Sequence, residues 1–285
     1  MYRVIQWATG SIGRSTLRRV IDHPDLALAG VYVYGKDKAG RDAGQIAKRP
    51  ATGVIATSNL DEILALDADV VLHTSRIPVP YEKQNDEVVK LLSSGKNVIS
   101  VNGFFYPEAH GDTYALPLKR ACERGRSTLA GAGINPGFIA ERIALVMSGL
   151  CARVDYIGSF ERVDASYMPA PDFVFGVMGF GADPTLSDIA RGPLARLYSD
   201  LYLETFAYVA EAMGTRIALI APDHRLTPAP EDMKIAAGTV RKGTVAATEW
   251  RWNAEFENGQ EMTHSLLWTS SPKLHGDENP AHWRI

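Results

Sequence analysis

The stretch Arg3-Val4-Ile5-Gln6-Trp7-Ala8-Thr9-Gly10-Ser11-Ile12-Gly13-Arg14 decides the reading of this chain. A short apolar run, too brief for a helix, leads into Gly10 and Gly13, and Leu17, Val20 and Ile21 then recur at helical spacing. The order predicted is strand, tight turn, helix. The first turn of such a helix leaves backbone N–H groups unpaired and carries a positive partial charge, so the ligand it favours is a pyrophosphate. Gly10 lets a backbone approach phosphates, Gly13 lets the helix pack against the strand, and Ala8 occupies the place of the first glycine of the full Gly-x-Gly-x-x-Gly pattern. An ordinary strand-to-helix turn has the same spacing. Its place at the N-terminus, ahead of further alternating strands and helices, favours a dinucleotide site.

Leu26 to Tyr34 reads as a second strand, closed by the loop Gly35 to Arg41, and Val54 to Thr57 as a short third one. A helix opens at Asn59, a strand runs from Val70 to Thr74, and Val88, Leu91 and Leu92 mark a helix from Tyr81 to Ser94 that stops at Gly95. Asn97 to Val101, Thr113 to Arg124 and Ser127 to Ala130 continue as strand, helix and strand. Such alternation predicts a doubly wound parallel sheet, an α/β dinucleotide-binding domain over residues 1–137. After Gly133-Ile134-Asn135-Pro136-Gly137 the pattern changes. Ile139, Ile143, Val146, Met147 and Leu150 form one helical stripe, and a long helix runs from about Leu194 to Met213, with Gly214 as its C-terminal cap.

From Val245 to Phe256, Trp250, Trp252, Ala254 and Phe256 alternate with polar residues, which predicts a sheet with one buried face. Asn258-Gly259 marks a hairpin. Side-chain alternation selects a three-residue loop with Gly259 in the left-handed region, pairing Ala254 with Met262, Trp252 with His264 and Trp250 with Leu266. Residues 138–285 are expected to be an α+β substrate and dimerisation domain, a mainly antiparallel sheet with helices on one face. The chain closes on His282-Trp283-Arg284-Ile285, which reads as the middle of a strand, as though a final segment were missing.

Composition narrows the function. With 285 residues, 46% of them hydrophobic and 22% charged, the chain has room for two domains with substantial cores, and a net charge of −3 gives no electrostatic reason to expect nucleic acid. No apolar run reaches the roughly 20 residues needed to span a bilayer and no signal-peptide pattern opens the chain, so the expected location is the cytoplasm. Cys122 and Cys151 have no metal-type spacing, no metal site is expected, and both read as small buried hydrophobes. The exposed face of a tryptophan-rich sheet is a common dimer surface, so a homodimer is expected.

The second strand ends in Val33, Tyr34 and Gly35, where proteins that hold an unphosphorylated adenosine ribose place Asp or Glu. Lys36, Lys38 and Arg41 follow, and Arg14 sits beside the glycine turn; these cations favour NADP over NAD. Ligands of open α/β sheets bind beyond the carboxyl ends of the strands, which points to Thr74 and Ser75 at the ribose, to Asn102 near the nicotinamide, and to Asn135, either as an N-cap with Pro136 at the first helical position or as a cofactor or substrate contact. The Ser166 to Gly181 loop, rich in aromatics, Met and Gly, is either a lid over an apolar substrate, with Tyr167 supplying a hydroxyl, or a packed connection. Tyr106, Glu108, Tyr167 and His264 are the candidate proton donors.

With the glycine turn, the Asn102 segment and Gly133-Ile134-Asn135-Pro136-Gly137 in hand, the chain resembles the dihydrodipicolinate reductase-like oxidoreductases, most of all the branch of 2,4-diaminopentanoate dehydrogenase and the NAD(P)-dependent amine dehydrogenases. The resemblance implies cofactor roles for Gly10, Ser11, Ile12 and Gly13, and hydride exchange between a nicotinamide cofactor and an imine or amine (C=N) carbon; the aromatic loop points to a small, partly apolar substrate. It also implies a catalytic glutamate just after the strand that ends near Val101. This chain has Asn102-Gly103-Phe104-Phe105-Tyr106-Pro107 there and no acid before Glu108. An amide cannot take a proton in a carboxylate's place, so a carbonyl reductase or alcohol dehydrogenase, and a non-catalytic NADP-binding protein, stand as alternatives.

Overall fold

Short β-branched runs separated by amphipathic segments fold as the alternation requires. In the computed structural model, which describes residues 1–185, 191–276 and 281–285, the chain divides into two units, Met1–Phe138 and Ile139–Ile285.

In the first unit, strands β1 (Tyr2–Trp7), β2 (Leu26–Tyr32), β3 (Val70–His73), β4 (Asn97–Ser100) and β5 (Leu129–Gly131) form one parallel sheet in the order β2-β1-β3-β4-β5. Helices α1 (Ser11–Asp22), α2 (Ala43–Ala47), α3 (Leu60–Ala65), α4 (Asn85–Ser93) and α5 (Asp112–Gly125) connect the strands. This is the doubly wound α/β architecture expected of the first half. The α1 face that carries Leu17 and Val20 is buried; Leu17 packs with Val31, Val33, Ala43 and Ile46, the Leu, Val and Ile side chains each contributing about 1.5–3 kcal/mol. Strand order reverses at β1, with β2 on one side and β3 on the other, and ligands of such sheets sit at that reversal.

One expected strand is absent as such. Val54 to Thr57 contributes only isolated bridges, Tyr32 to Thr57 and Asp42 to Ile55, because the Gly40 to Gly53 segment folds back through the missed short helix α2. Tyr81 to Ser94 is a 3₁₀ turn, Tyr81–Gln84, running into α4.

In the second unit a π-helix, Ile139–Ala144, continues into α6 (Leu145–Ser148). The expected apolar stripe is turned outward: Val146 is 75% and Leu150 87% exposed, while Ala140, Glu141 and Ala144 are buried. The wider π turn shifts the side-chain phase by about one residue against a 3.6-residue pattern, so counting at α spacing selects the wrong face. Strands β6 (Tyr156–Asp164), β7 (Ile217–Pro222), β8 (Arg225–Pro228), β11 (Val245–Phe256), β12 (Glu261–Thr269) and β13 (Ala281–Arg284) build the main sheet, and β9 (Met233–Ile235) and β10 (Gly238–Val240) pair separately. The sheet is antiparallel except where β6 runs parallel to β12.

The hairpin has the expected register, Ala254 opposite Met262, Trp252 opposite His264 and Trp250 opposite Leu266, with Gly259 at φ 81°. Helix α7 (Pro193–Ala212) covers the tryptophan face: Trp250 and Trp252 are each 1% exposed, and Trp252 Nε1 donates to Ser199 Oγ at 2.9 Å. The Ser166 to Gly181 stretch is more ordered than a plain loop. It carries a π-helix, Asp172–Val177, buries Val174, Met178 and Phe180, and is tied by the Thr248 hydroxyl, which donates to the Met178 carbonyl at 2.7 Å. Cys122 is half-buried and Cys151 exposed, so Cys151 is not the buried hydrophobe expected; both are free thiols. Among the described residues no helix is long and apolar enough to cross a membrane, and no group of His, Cys, Asp and Glu is placed to hold a metal.

Candidate functional site

The carboxyl ends of β1, β2 and β3 open onto a cleft of about 660 Å³. Its floor is the glycine turn. Gly10 is the N-cap of α1 with no side-chain cap, and the first turn carries no acid, so the leading N–H groups face the cleft end of the helix unclaimed by the chain's own carboxylates. The two glycines do different work. A Cβ on Gly13 would stand 2.3 Å from the Ala8 carbonyl oxygen and 2.7 Å from Thr74 Oγ1, whereas a Cβ on Gly10 would meet nothing within 4 Å. Gly13 serves helix–strand contact, and Gly10 leaves open space at the N-terminus of α1.

Ala8, at φ 67°, occupies the left-handed conformation that glycine takes in the full pattern. Buried Gln6 secures the turn: its Nε2 donates to the Ala8 carbonyl at 2.9 Å and to Thr74 Oγ1 at 2.9 Å, and its Oε1 accepts from the Thr16 hydroxyl at 2.6 Å. Cations ring the cleft. Lys38 reaches back to the Thr9 carbonyl at 3.1 Å, and Lys38, Arg76 and Lys83 line the cleft with no carboxylate partner among the described residues.

Two acids, Asp86 and Glu87, line the same cleft. Glu87 Oε2 is engaged: it accepts from the Tyr34 hydroxyl at 2.6 Å and from Trp7 Nε1 at 3.1 Å, and lies 3.8 Å from His73 Nε2. Burial works against the Glu87 carboxylate, yet its contacts with His73, Tyr34 and Trp7 outweigh burial and hold its pKa below the usual range. Tyr34 is half-exposed, but its hydroxyl is held by Glu87 and Trp7, and burial together with Glu87 pushes the phenol well above its ordinary pKa. Tyr34 stays protonated and Glu87 charged.

The residues singled out from the sequence scatter. Gly10, Tyr34, Thr74 and Ser75 line the cleft, and Ser11, Ile12, Gly13 and Arg14 form the first turn of α1 beside it. The Thr74 hydroxyl is spent on the Trp7 carbonyl at 2.9 Å. Lys36 is exposed and outside the lining; Lys38, two residues on, is the cation that reaches the glycine turn. Asn102 sits behind the cleft, its Nδ2 donating to the Ser75 carbonyl at 2.8 Å and facing Ser75 Oγ at 3.2 Å. Asn135 and Pro136 lie in a turn and the π-helix begins only at Ile139, so the expected N-cap with Pro136 at the first helical position is not formed.

None of the four candidate proton donors lines this cleft. Tyr106 precedes the 3₁₀ turn Pro107–His110; Glu108 belongs to a separate cleft of about 450 Å³ and pairs with Lys119 at 2.9 Å. Tyr167 is 64% exposed in the second unit, and His264 is fully buried there, facing the Trp252 side as its register requires. Sequence reasoning missed Gln6, Trp7, Lys83 and Glu87. Only Gln6 left a signal, a polar residue inside an apolar strand.

No family model matches the chain. It is 29% identical over 184 residues to an amine dehydrogenase of Streptomyces virginiae, an alignment that covers 64% of this chain and 51% of that protein. It is 26% identical over 250 residues to a 2,4-diaminopentanoate dehydrogenase of Acetoanaerobium sticklandii, covering 86% and 69%. A solved amine dehydrogenase from Mycobacterium smegmatis superposes with a TM-score of 0.76 over 99% of this chain and 85% of that one, at 15% identity. Other structures sharing the fold were solved with NAD or with NADP+. The chain thus spans about half the length of the Streptomyces relative. Its similarity to the amine dehydrogenases and to 2,4-diaminopentanoate dehydrogenase, read first from three short motifs, runs through both relatives and through the fold.

Proposed function

We propose that the chain is an NAD(P)-dependent oxidoreductase of the amine dehydrogenase type, acting at the C=N carbon of a small, partly apolar substrate. The observation that carries this reading is the open space at Gly10 beside the uncapped N-terminus of α1, at the strand-order reversal. Gly10, Ser11, Ile12 and Gly13 would hold the pyrophosphate through backbone N–H groups, and Tyr34 and Ser75 would meet the riboses. When bound, the nicotinamide supplies the hydride, and the protein's part is orientation and a proton.

NADP is the expected partner, with NAD accepted more weakly. Lys38, Arg76 and Lys83 offer unpaired positive charge, whereas the Glu87 charge is already committed to Tyr34, Trp7 and His73. Fluorescence titration is expected to give tighter binding of NADPH than of NADH; equal or reversed affinities would remove the preference.

Tyr106 and Glu108, which follow β4, are proposed for proton exchange ahead of Tyr167 and His264. The Lys119 pairing overcomes the burial that opposes ionisation and holds Glu108 below its ordinary pKa, which suits a base more than an acid. Ketone reduction is the second reading, favoured by the amide of Asn102 where a carboxylate was expected. Turnover of ketones that requires ammonium supports amination; turnover indifferent to ammonium supports the alternative. A homodimer is also proposed. Its surface would be the polar sheet face of Glu249, Arg251 and Asn253, since the tryptophans are covered by the chain's own helix; sedimentation velocity tests it.

A further inference from the structure

Ser75 sits in the dinucleotide cleft, and its hydrogen bonds can be assigned a direction by counting donors. Asn102 Nδ2, which only donates, lies 3.2 Å from Ser75 Oγ. His73 Nε2 lies 3.1 Å from the same oxygen and 3.8 Å from the Glu87 carboxylate, and that charge favours the hydrogen on Nε2. The other ring nitrogen, Nδ1, then accepts from the Ser100 hydroxyl at 3.0 Å, while Ser100 Oγ itself accepts the Asn102 backbone N–H at 3.2 Å. Two donors thus fill both lone pairs of Ser75 Oγ. What Ser75 has left to offer is its own hydrogen.

The Tyr34 hydroxyl, which lines the same cleft, is itself satisfied: its oxygen receives Trp7 Nε1–H at 2.9 Å and it passes its own proton to Glu87 at 2.6 Å. We propose that Ser75 is a specificity-determining residue locked as a hydrogen-bond donor into the dinucleotide cleft, with His73 as the positioning residue that locks it. The spot selects an acceptor, such as a ribose or phosphate oxygen, and disfavours a group that can only donate. The inference rests on the dinucleotide reading above and adds to it the polarity of one contact and the residue behind it.

The test is NADPH affinity, read by fluorescence titration, with melting curves for each variant. Ser75→Ala is expected to weaken binding about tenfold and Ser75→Thr, which keeps the hydroxyl, by no more than about twofold. His73→Phe is expected to cost as much as Ser75→Ala, and adding it to Ser75→Ala is expected to cost nothing further, because His73 acts through that hydroxyl. If His73→Phe does not fold, His73→Gln, which keeps an N–H for Ser75, is expected to bind within about twofold of the parent. Ser75→Ala binding like the parent overturns the role of Ser75. An equal loss from His73→Phe with and without the Ser75 hydroxyl, or a tenfold loss in His73→Gln, overturns the role of His73. A parent chain that binds neither NADPH nor NADH fails the dinucleotide reading itself, and this inference falls with it.

Discussion

His73 and His264 are both wholly buried, one in each unit, and their surroundings are opposite. His73 has a hydroxyl at each ring nitrogen, Ser100 at 3.0 Å and Ser75 at 3.1 Å, with a carboxylate beyond. His264 lies between the rings of Tyr202 and Trp252, and neither of its nitrogens has a hydrogen-bond partner among the described residues. Burial alone pushes the His264 imidazole down to about 3. A hydrogen-bonded buried imidazole orients its neighbours; one enclosed by aromatic rings is a neutral ring that fills space. The polar interior of the first unit is organised around directed hydrogen bonds beside the cleft, and the corresponding face of the second around packing.

The largest effect that would sharpen this contrast is Trp252→Ala. It opens a cavity under α7 and is expected to cost about 3–5 kcal/mol in urea unfolding; a loss under 1 kcal/mol would show that the tryptophan face is not the core of its unit. Gly13→Ala comes next. The added methyl has backbone oxygen at 2.3 Å, so a loss of about 1–3 kcal/mol is expected in the same assay, together with weaker NADPH binding.

The third contrast is in pH. The His264 pKa is lower folded than unfolded, so below about pH 6.5 the unfolded chain takes up a proton that the folded chain refuses. Stability from this group is complete above that pH and falls by about 1.4 kcal/mol per pH unit as pH drops towards 3. Unfolding measured across pH should therefore be flatter in His264→Phe than in the parent; matching slopes would place the acid sensitivity elsewhere. The smallest effect is Ala8→Gly, which relieves a left-handed alanine and is expected to stabilise by about 1 kcal/mol without weakening NADPH binding. Destabilisation would mean that the alanine methyl contributes more than its conformation costs.

Much of the fold was legible because its signals are local and periodic. Alternation from Val245 to Phe256 and the Asn258-Gly259 turn specify a register that slips only by exposing every tryptophan, and the structure has that register. The helix before Gly214 ends within a residue of its reading. Where periodicity departs from 3.6, as in the π-helix at Ile139, the same reasoning chose the wrong face. The site was legible only in part. Gly10, Tyr34, Thr74 and Ser75 follow strand ends, which a sequence marks, but Glu87 reaches Tyr34 across 53 positions and Trp7 across 80, and no local spacing records such a contact. The carboxylate bonded to Tyr34, just past β2, comes from α4.

The central claim is that the turn at Gly10 holds the diphosphate of a nicotinamide coenzyme, and calorimetry of NADPH binding to the parent chain and to Gly10→Val tests it directly. The account predicts saturable binding to the parent with Kd below about 1 mM, and at least about tenfold weaker binding to a variant that melts like the parent, since its side chain enters only open space. No binding to the parent at millimolar coenzyme, or equal affinity in the two proteins, would contradict it.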